Sequence, residues 1–202
     1  MKKIVIATLV SVIVLALVIV GKSISVYNGI IALDEGVKAQ WAQVENTYQR
    51  RFDLVPNLVA TVQGEADFEK STLAAVTDAR SKMGGTVKVD ENMLGDEAAM
   101  KRFQEMQAGL GGALQRLMAV SENYPDLKSN TSFQELRVQL EGAENRIATE
   151  RMRYNEIVKN YNTSIRQFPN SLIAGFAGAS PKVPFSADAG ASAAPAVKFD
   201  TK

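Results

Sequence analysis

Apolar residues recur along this chain in two ways. From Ile4 to Val20 they are nearly continuous, with Thr8 and Ser11 as the polar interruptions, Lys2 and Lys3 in front and Gly21 and Lys22 behind. A run of about 17 residues makes about 25 Å of helix, the short end of a bilayer span. The pattern predicts a transmembrane helix over residues 1–22. A cleaved secretory signal is the alternative, but its apolar core is usually about 7 to 15 residues and precedes a small-x-small site. No clear A-x-A sequence follows Val20, so the reading is an uncleaved anchor. Lys2, Lys3 and the terminal amine outweigh Lys22, which places the N-terminus in the cytoplasm and the rest of the chain outside it, on a single-pass cell-membrane anchor.

Beyond the anchor the apolar positions become periodic. Tyr27, Ile30, Leu33, Val37, Trp41, Val44, Tyr48 and Phe52 recur in steps of three and four, one face of a helix. Leu54, Leu58, Val62, Ala66, Leu73, Val76, Ala79 and Met83 continue the rhythm until Gly84 and Gly85. Asp53, Pro56 and Asn57 place a break between these two segments, with a kinked continuous helix as the alternative. Met100, Phe103, Met106, Leu110, Leu114, Leu117, Val120 and Tyr124 predict a third helix ending before Pro125. Its Gly109, Gly111 and Gly112 each cost about 1 kcal/mol against Ala, which suggests a bend or a close helix approach. Phe133, Leu136, Leu140, Ala143, Ile147, Tyr154, Ile157, Tyr161, Ile165 and Phe168 predict a fourth, begun by a Ser132–Glu135 capping box and ended by Pro169. Four helices of roughly 28 to 37 residues predict an all-α protein. The expected architecture is an N-terminal transmembrane helix followed by an antiparallel up-and-down four-helix bundle with coiled-coil-like packing over residues 23–169. Residues 170–202 form a C-terminal segment expected to be disordered from about residue 186.

Composition narrows the chemistry. The chain has no histidine and no cysteine, which removes Ser-His-Asp and Cys-His nucleophiles, thiol chemistry, disulfides and the Glu-x-x-His di-metal sites of helical bundles. Basic residues number 23 and acidic ones 22, too balanced a field to attract nucleic acid. The acidic stretch Asp90, Glu91, Asn92, Gly95, Asp96 and Glu97 fails as a calcium loop, because aligning its glycine puts Leu94 and Lys101 at ligand positions. No catalytic residues, metal ligands or cofactor are expected.

Two polar clusters remain. Arg50, Arg51, Asp53 and Asn57 fall at the expected first turn, either as a partner or anion site or as a hairpin whose arginines pair with Asp53 or the helix end. In an up-and-down bundle that turn shares the far tip with the Tyr124–Thr131 loop, so Asp126 and Lys128 join it as a candidate partner-binding tip. The Gly84–Gly85 connection and the apolar Leu172–Phe176 segment then lie near the bilayer, where Leu172, Ile173 and Phe176 either cover the bundle's end or dip into the interface. On the fourth helix Glu144, Arg151, Asn155 and Asn162 are seven, four and seven residues apart and share a face beside the apolar seam. They read as a structural polar ladder that sets register, with Arg151 held by a carboxylate. Trp41 and the tyrosines read as core.

Tyr27-Asn28, Trp41, the run Gln49 to Val59 (QRRFDLVPNLV), Ala79-Arg80, Tyr124-Pro125-Asp126-Leu127-Lys128, Glu144-Asn145-Arg146-Ile147, Tyr154-Asn155 and Phe168-Pro169 together resemble the LemA family. Phe52 departs from the small residue usual after the paired arginines, and the tail beyond Ser186 aligns with nothing in the family. The resemblance implies an N-terminally anchored four-helix bundle and supplies no catalytic residues. The expected function is a non-enzymatic, membrane-anchored module of the bacterial cell envelope that binds an unknown protein partner or itself. An uncharacterised enzyme or small-ligand sensor using a cleft in the bundle is the alternative.

Overall fold

The apolar run and the first periodic segments join into one helix, α1, spanning Lys2–Gln63 with Pro56 inside it. At 1.5 Å per residue it is about 90 Å long. The computed structural model describes residues 2–64, 68–84 and 91–186, all-helical with no strand among them. α1 is the described helix long and apolar enough to cross a membrane, and Ile4 to Val20 are exposed throughout.

The break expected at Asp53–Asn57 is absent, and the alternative of a continuous helix holds. Pro56 forfeits the bond to the Phe52 carbonyl, a cost of about 3 kcal/mol inside a helix. It stands on the exposed face, where water can serve that carbonyl. On the opposite face Phe52, Val55, Leu58 and Val62 are buried without a change of phase, each contributing about 1.5 to 3 kcal/mol of burial. The apolar stripe outweighs the proline, so the chain first turns after Gln63.

α2 spans Lys70–Ser81 and closes through Gly84, whose φ of 67° needs a residue without a Cβ. A 3-10 turn at Glu91–Gly95 leads into α3, Glu97–Ser121. Asp96 caps α3 by accepting from the amides of Ala98 and Ala99, which is the role of this member of the acidic stretch. The short α4, Pro125–Ser129, occupies the expected loop, and α5 runs from Thr131 to Arg166. Its cap is Asn130, accepting from the Phe133 amide, rather than Ser132. α6, Asn170–Phe176, follows a cis Phe168–Pro169 bond. Residues 177–186 then turn back along α5. Ala66, Gly85, Asp90 and the tail beyond Ser186 lie outside the described residues.

α1 packs along α5, and α2 along α3. Contacts from Gln40 to Glu150 and from Arg51 to Glu144 make α1 and α5 antiparallel. Glu69 beside Arg116, with Asp78 and Lys82 facing Glu105, does the same for α2 and α3. The core runs along α1 from Ile30 to Val62 and centres on Trp41, whose ring meets Phe103 at 5.4 Å, Tyr154 at 5.4 Å and Phe185 at 5.8 Å. Four expected core positions fall outside it. Tyr27 and Phe168 are exposed, Leu54 is half-buried beside the Phe52–Val55–Leu58 stripe, and Met106 yields its place to Gln107, because the α3 stripe steps Phe103, Gln107, Leu110, Leu114.

Phe185 is buried although it lies ten residues beyond the last helix turn's Gly175. Truncation to Ala should therefore cost about 3 to 5 kcal/mol in urea unfolding of residues 23–202. A loss below about 1 kcal/mol would mark the C-terminal segment as peripheral to the core.

Candidate functional site

The two polar clusters of the sequence meet at one point. Arg51 is 3% exposed, and its guanidinium lies between three helices. Nη1 donates to Glu144 of α5 at 2.9 and 3.2 Å, and Nη2 donates to the Gln107 carbonyl at 3.0 Å and to its Oε1 at 2.5 Å on α3. The Tyr48 ring lies 5.2 Å away. A Cβ at Gly111 would stand 3.3 Å from Nη1, a tight contact with the end of this side chain, while a Cβ at Gly109 or Gly112 would meet nothing within 4 Å. Around these residues a cleft of about 280 Å³ opens toward Gln104, Gln115 and Arg151. Among the described residues, the Nε of Arg51 and the Nε2 of Gln107 are buried there with no hydrogen-bond partner.

The remaining members of the α5 ladder hold backbone. Asn162 accepts from the Lys182 amide and donates to its carbonyl, both at 2.8 Å. Asn155 does the same for Phe185 at 2.8 and 3.0 Å. Seven helical residues separate the two asparagines, about 10.5 Å. Three residues of strap cover that distance only when extended at about 3.5 Å each. The strap from Pro181 to Ser186 thus lies antiparallel to α5, with each of its amides engaged. Lys182 bonds Asn162, Val183 bonds the Leu94 carbonyl, Phe185 bonds Asn155 and Ser186 bonds Gln104. Pro181 and Pro184 occupy the two positions that have no amide hydrogen to satisfy.

Arg151 donates to the Ser186 carbonyl at 3.1 Å and covers the Phe185 ring at 4.9 Å. The Tyr154 hydroxyl donates to the Val183 carbonyl at 3.2 Å, and burial pushes it above its ordinary value. At the strap's start Lys182 pairs with Asp34 at 2.8 Å, which also binds Lys38 at 3.3 Å. Burial alone would raise the Asp34 carboxyl, but the hydrogen bonds and charge of Lys182 and Lys38 outweigh it and leave it below the usual range.

The expected tip does not assemble, because α1 passes straight through it. Arg51 is core. Asp53 and Asn57 are exposed on mid-helix α1, with Asp53 accepting from Gln49 at 2.7 Å. Arg50 lines a cleft with Val138, Gly142, Ala143 and Arg146, which starts roughly 10 Å along α5 from Thr131. The turn that does meet the Tyr124–Thr131 loop is the one after Gln63, through Phe68 and Tyr124 at 4.9 Å. Asp126 and Lys128 stay at that end, exposed. Lys128 at 2.6 Å and Arg137 at 2.8 Å share the Glu122 carboxylate, and their hydrogen bonds hold it below the usual range. Sequence reasoning missed Gln107, Asp34 and the strap. The strap's paired prolines around Val183 were the available signal.

Glu144→Ala should destabilise the protein by about 3 to 5 kcal/mol, because it strands a buried guanidinium. Arg51→Met combined with Glu144→Leu should recover much of that loss, and chemical denaturation of the three proteins separates the outcomes. The Asp34 pair has its own pH signature. With the folded carboxyl below its unfolded value, its contribution is present above about pH 4 and is lost as pH falls through the folded value. The difference in unfolding midpoint between the parent and Asp34→Asn should therefore shrink on acidification below about pH 4. A difference that does not change with pH would mean that Asp34 carries no linked charge.

The LemA family model matches residues 40–199. It begins at Gln40, where α1 contacts Glu150, and runs past Ser186 to residue 199, so most of the tail that the motif comparison left unaligned falls inside it. Magnetosome protein MamQ 2 of Paramagnetospirillum magneticum is 31% identical over 75% of this chain and 61% of its own length. Magnetosome protein MamQ of Magnetospirillum gryphiswaldense is 30% identical with the same coverage. The chain thus spans about three-fifths of the length of these curated relatives. Over the region that builds the Arg51 junction and the strap ladder, and so most of its length, this chain belongs to the LemA family.

Proposed function

We propose that this protein is a non-enzymatic, membrane-anchored helical scaffold of the cell envelope, acting by binding another protein or a second copy of itself. In this reading the first 22 residues of α1 cross the membrane, and the rest of α1 with α2, α3 and α5 makes an up-and-down four-helix bundle on the outer side. The observation that carries it is where the polar side chains go. Glu144, the carboxylate that lines the central cleft among the described residues, is committed to Arg51, and Asn155 and Asn162 are committed to the strap. Acid–base or nucleophilic chemistry needs groups converging on a space a substrate can enter, and here they converge on each other.

A second reading has one observation behind it. The donors Nε of Arg51 and Nε2 of Gln107, buried beside the cleft with no hydrogen-bond partner among the described residues, suit a small ligand bearing acceptor oxygens. That reading keeps the bundle and makes it a sensor.

Full-length protein should stay in the membrane pellet through alkaline carbonate washing, while residues 23–202 alone should be soluble with the helicity of the ectodomain. Protease added to intact spheroplasts should digest the helical domain. Release of the full-length chain by carbonate would sink the anchor reading, and digestion only after lysis would reverse the orientation.

A further inference from the structure

We propose that Phe168, Leu172 and Phe176 form a lipid-inserting foot by which the helical domain rests on the membrane that holds its own anchor. The inference rests on the anchor reading above and adds a second membrane contact to it. Phe168 is 82%, Leu172 59% and Phe176 92% exposed. Their spacing of four residues puts Leu172 and Phe176 on one side of α6 with Phe168 at its entrance. The other side of α6 is already occupied, since Ala174 is buried and Ile173 packs on the core. The foot is therefore surplus to the fold. Elsewhere on α2 to α5 the large exposed apolar residues are Met106, Val138 and Met152, scattered singly.

Position names the occupant. Tyr161 of α5 lies level with Asp34 of α1, the two lining one cleft with Gly178. Equal rises on antiparallel helices then bring Arg166 level with about Gly29, and the turn at Phe168 closer to Val26. Val26 and Ser23 are the first α1 residues to lose exposure, three to six residues beyond the apolar run that ends at Val20. Six residues of helix are about 9 Å, just beyond a headgroup layer of about 5 to 7 Å per leaflet and within the zone where amphipathic segments insert. α6 then rises from Phe168 toward the Asp34 cleft that Ala177 lines, with Phe176 at its upper end. Ile24, Tyr27 and Ile31 on α1 are also exposed, from just beyond the span to the level of α6. Lys22 and Arg166, both exposed, supply cations on either side of the level of Val26 for anionic headgroups.

The chain contains no cysteine, so single-cysteine variants can carry one environment-sensitive fluorophore each. Full-length Leu172→Cys and Phe176→Cys would be reconstituted in phosphatidylethanolamine–phosphatidylglycerol vesicles, with Val138→Cys and Val12→Cys as references for water and for the span. Both replaced foot residues are exposed, so folding is not at stake. The foot labels should be blue-shifted relative to Val138 and quenched several-fold more by a lipid spin-labelled near its headgroup, and less by aqueous iodide. Foot labels that behave like Val138 while Val12 stays shielded would overturn the foot and leave the anchor standing. A shielded foot that ignores the spin-labelled lipid and deepens with protein density would overturn it in favour of contact with a second copy. A Val12 label open to iodide would overturn the anchor reading and the foot with it.

Discussion

A guanidinium removed from water must be met by acceptors on every side it presents, and the middle of this protein is arranged around that requirement. Arg51 sits on the buried face of α1 between Tyr48 and Val55. Its charge draws the Glu144 carboxylate from α5 and both oxygens of Gln107 from α3. Apolar stripes alone tolerate sliding by a heptad, since one Leu replaces another at little cost. An ion pair with two partners on two different helices does not. Gly111 belongs to the same constraint, because a side chain there would occupy the space that Nη1 needs.

The strap is the second device, and it works by matching two repeats. Helix pitch sets Asn155 and Asn162 two turns apart, and extended backbone sets Lys182 and Phe185 the same distance apart. Each asparagine offers one donor and one acceptor in the geometry of a backbone amide, so α5 presents to the strap what a neighbouring strand would. Placing Phe185 against Trp41 and Tyr154 then closes the core with a residue from the far end of the chain. Lys182 on Asp34 secures the other end of the strap to α1. The C-terminal segment thereby joins α1 and α5, and the domain core depends on residues that follow the last helix.

Carrying α1 through Pro56 has consequences beyond that helix. It moves the first turn to the end of the Val62 stripe, which brings Phe68 against Tyr124. It also converts the paired arginines from a surface feature into one buried member, Arg51, and one exposed member, Arg50. The apolar N-terminal run and the periodic segments share one unbroken helix, so whatever orients the first orients the second.

Helix content, the apolar N-terminal run, the periodic stripes on α1, α3 and α5, and the family were legible in the sequence, because each is a local or periodic property of consecutive residues. The face shared by Glu144, Arg151, Asn155 and Asn162 was legible too, since helical spacing alone creates it. What those residues touch was not. Whether Pro56 ends a helix depends on the burial of Val55, Leu58 and Val62, a balance set by neighbours far along the chain. Whether an arginine is core or surface depends on a carboxylate 93 positions away. The strap carries no periodic pattern, and its order comes from side chains of α5 that reach its backbone. Sequence determines which faces are apolar and which residues can pair. The tertiary structure decided which of them do, because desolvation makes a partner obligatory only once the surrounding helices have closed.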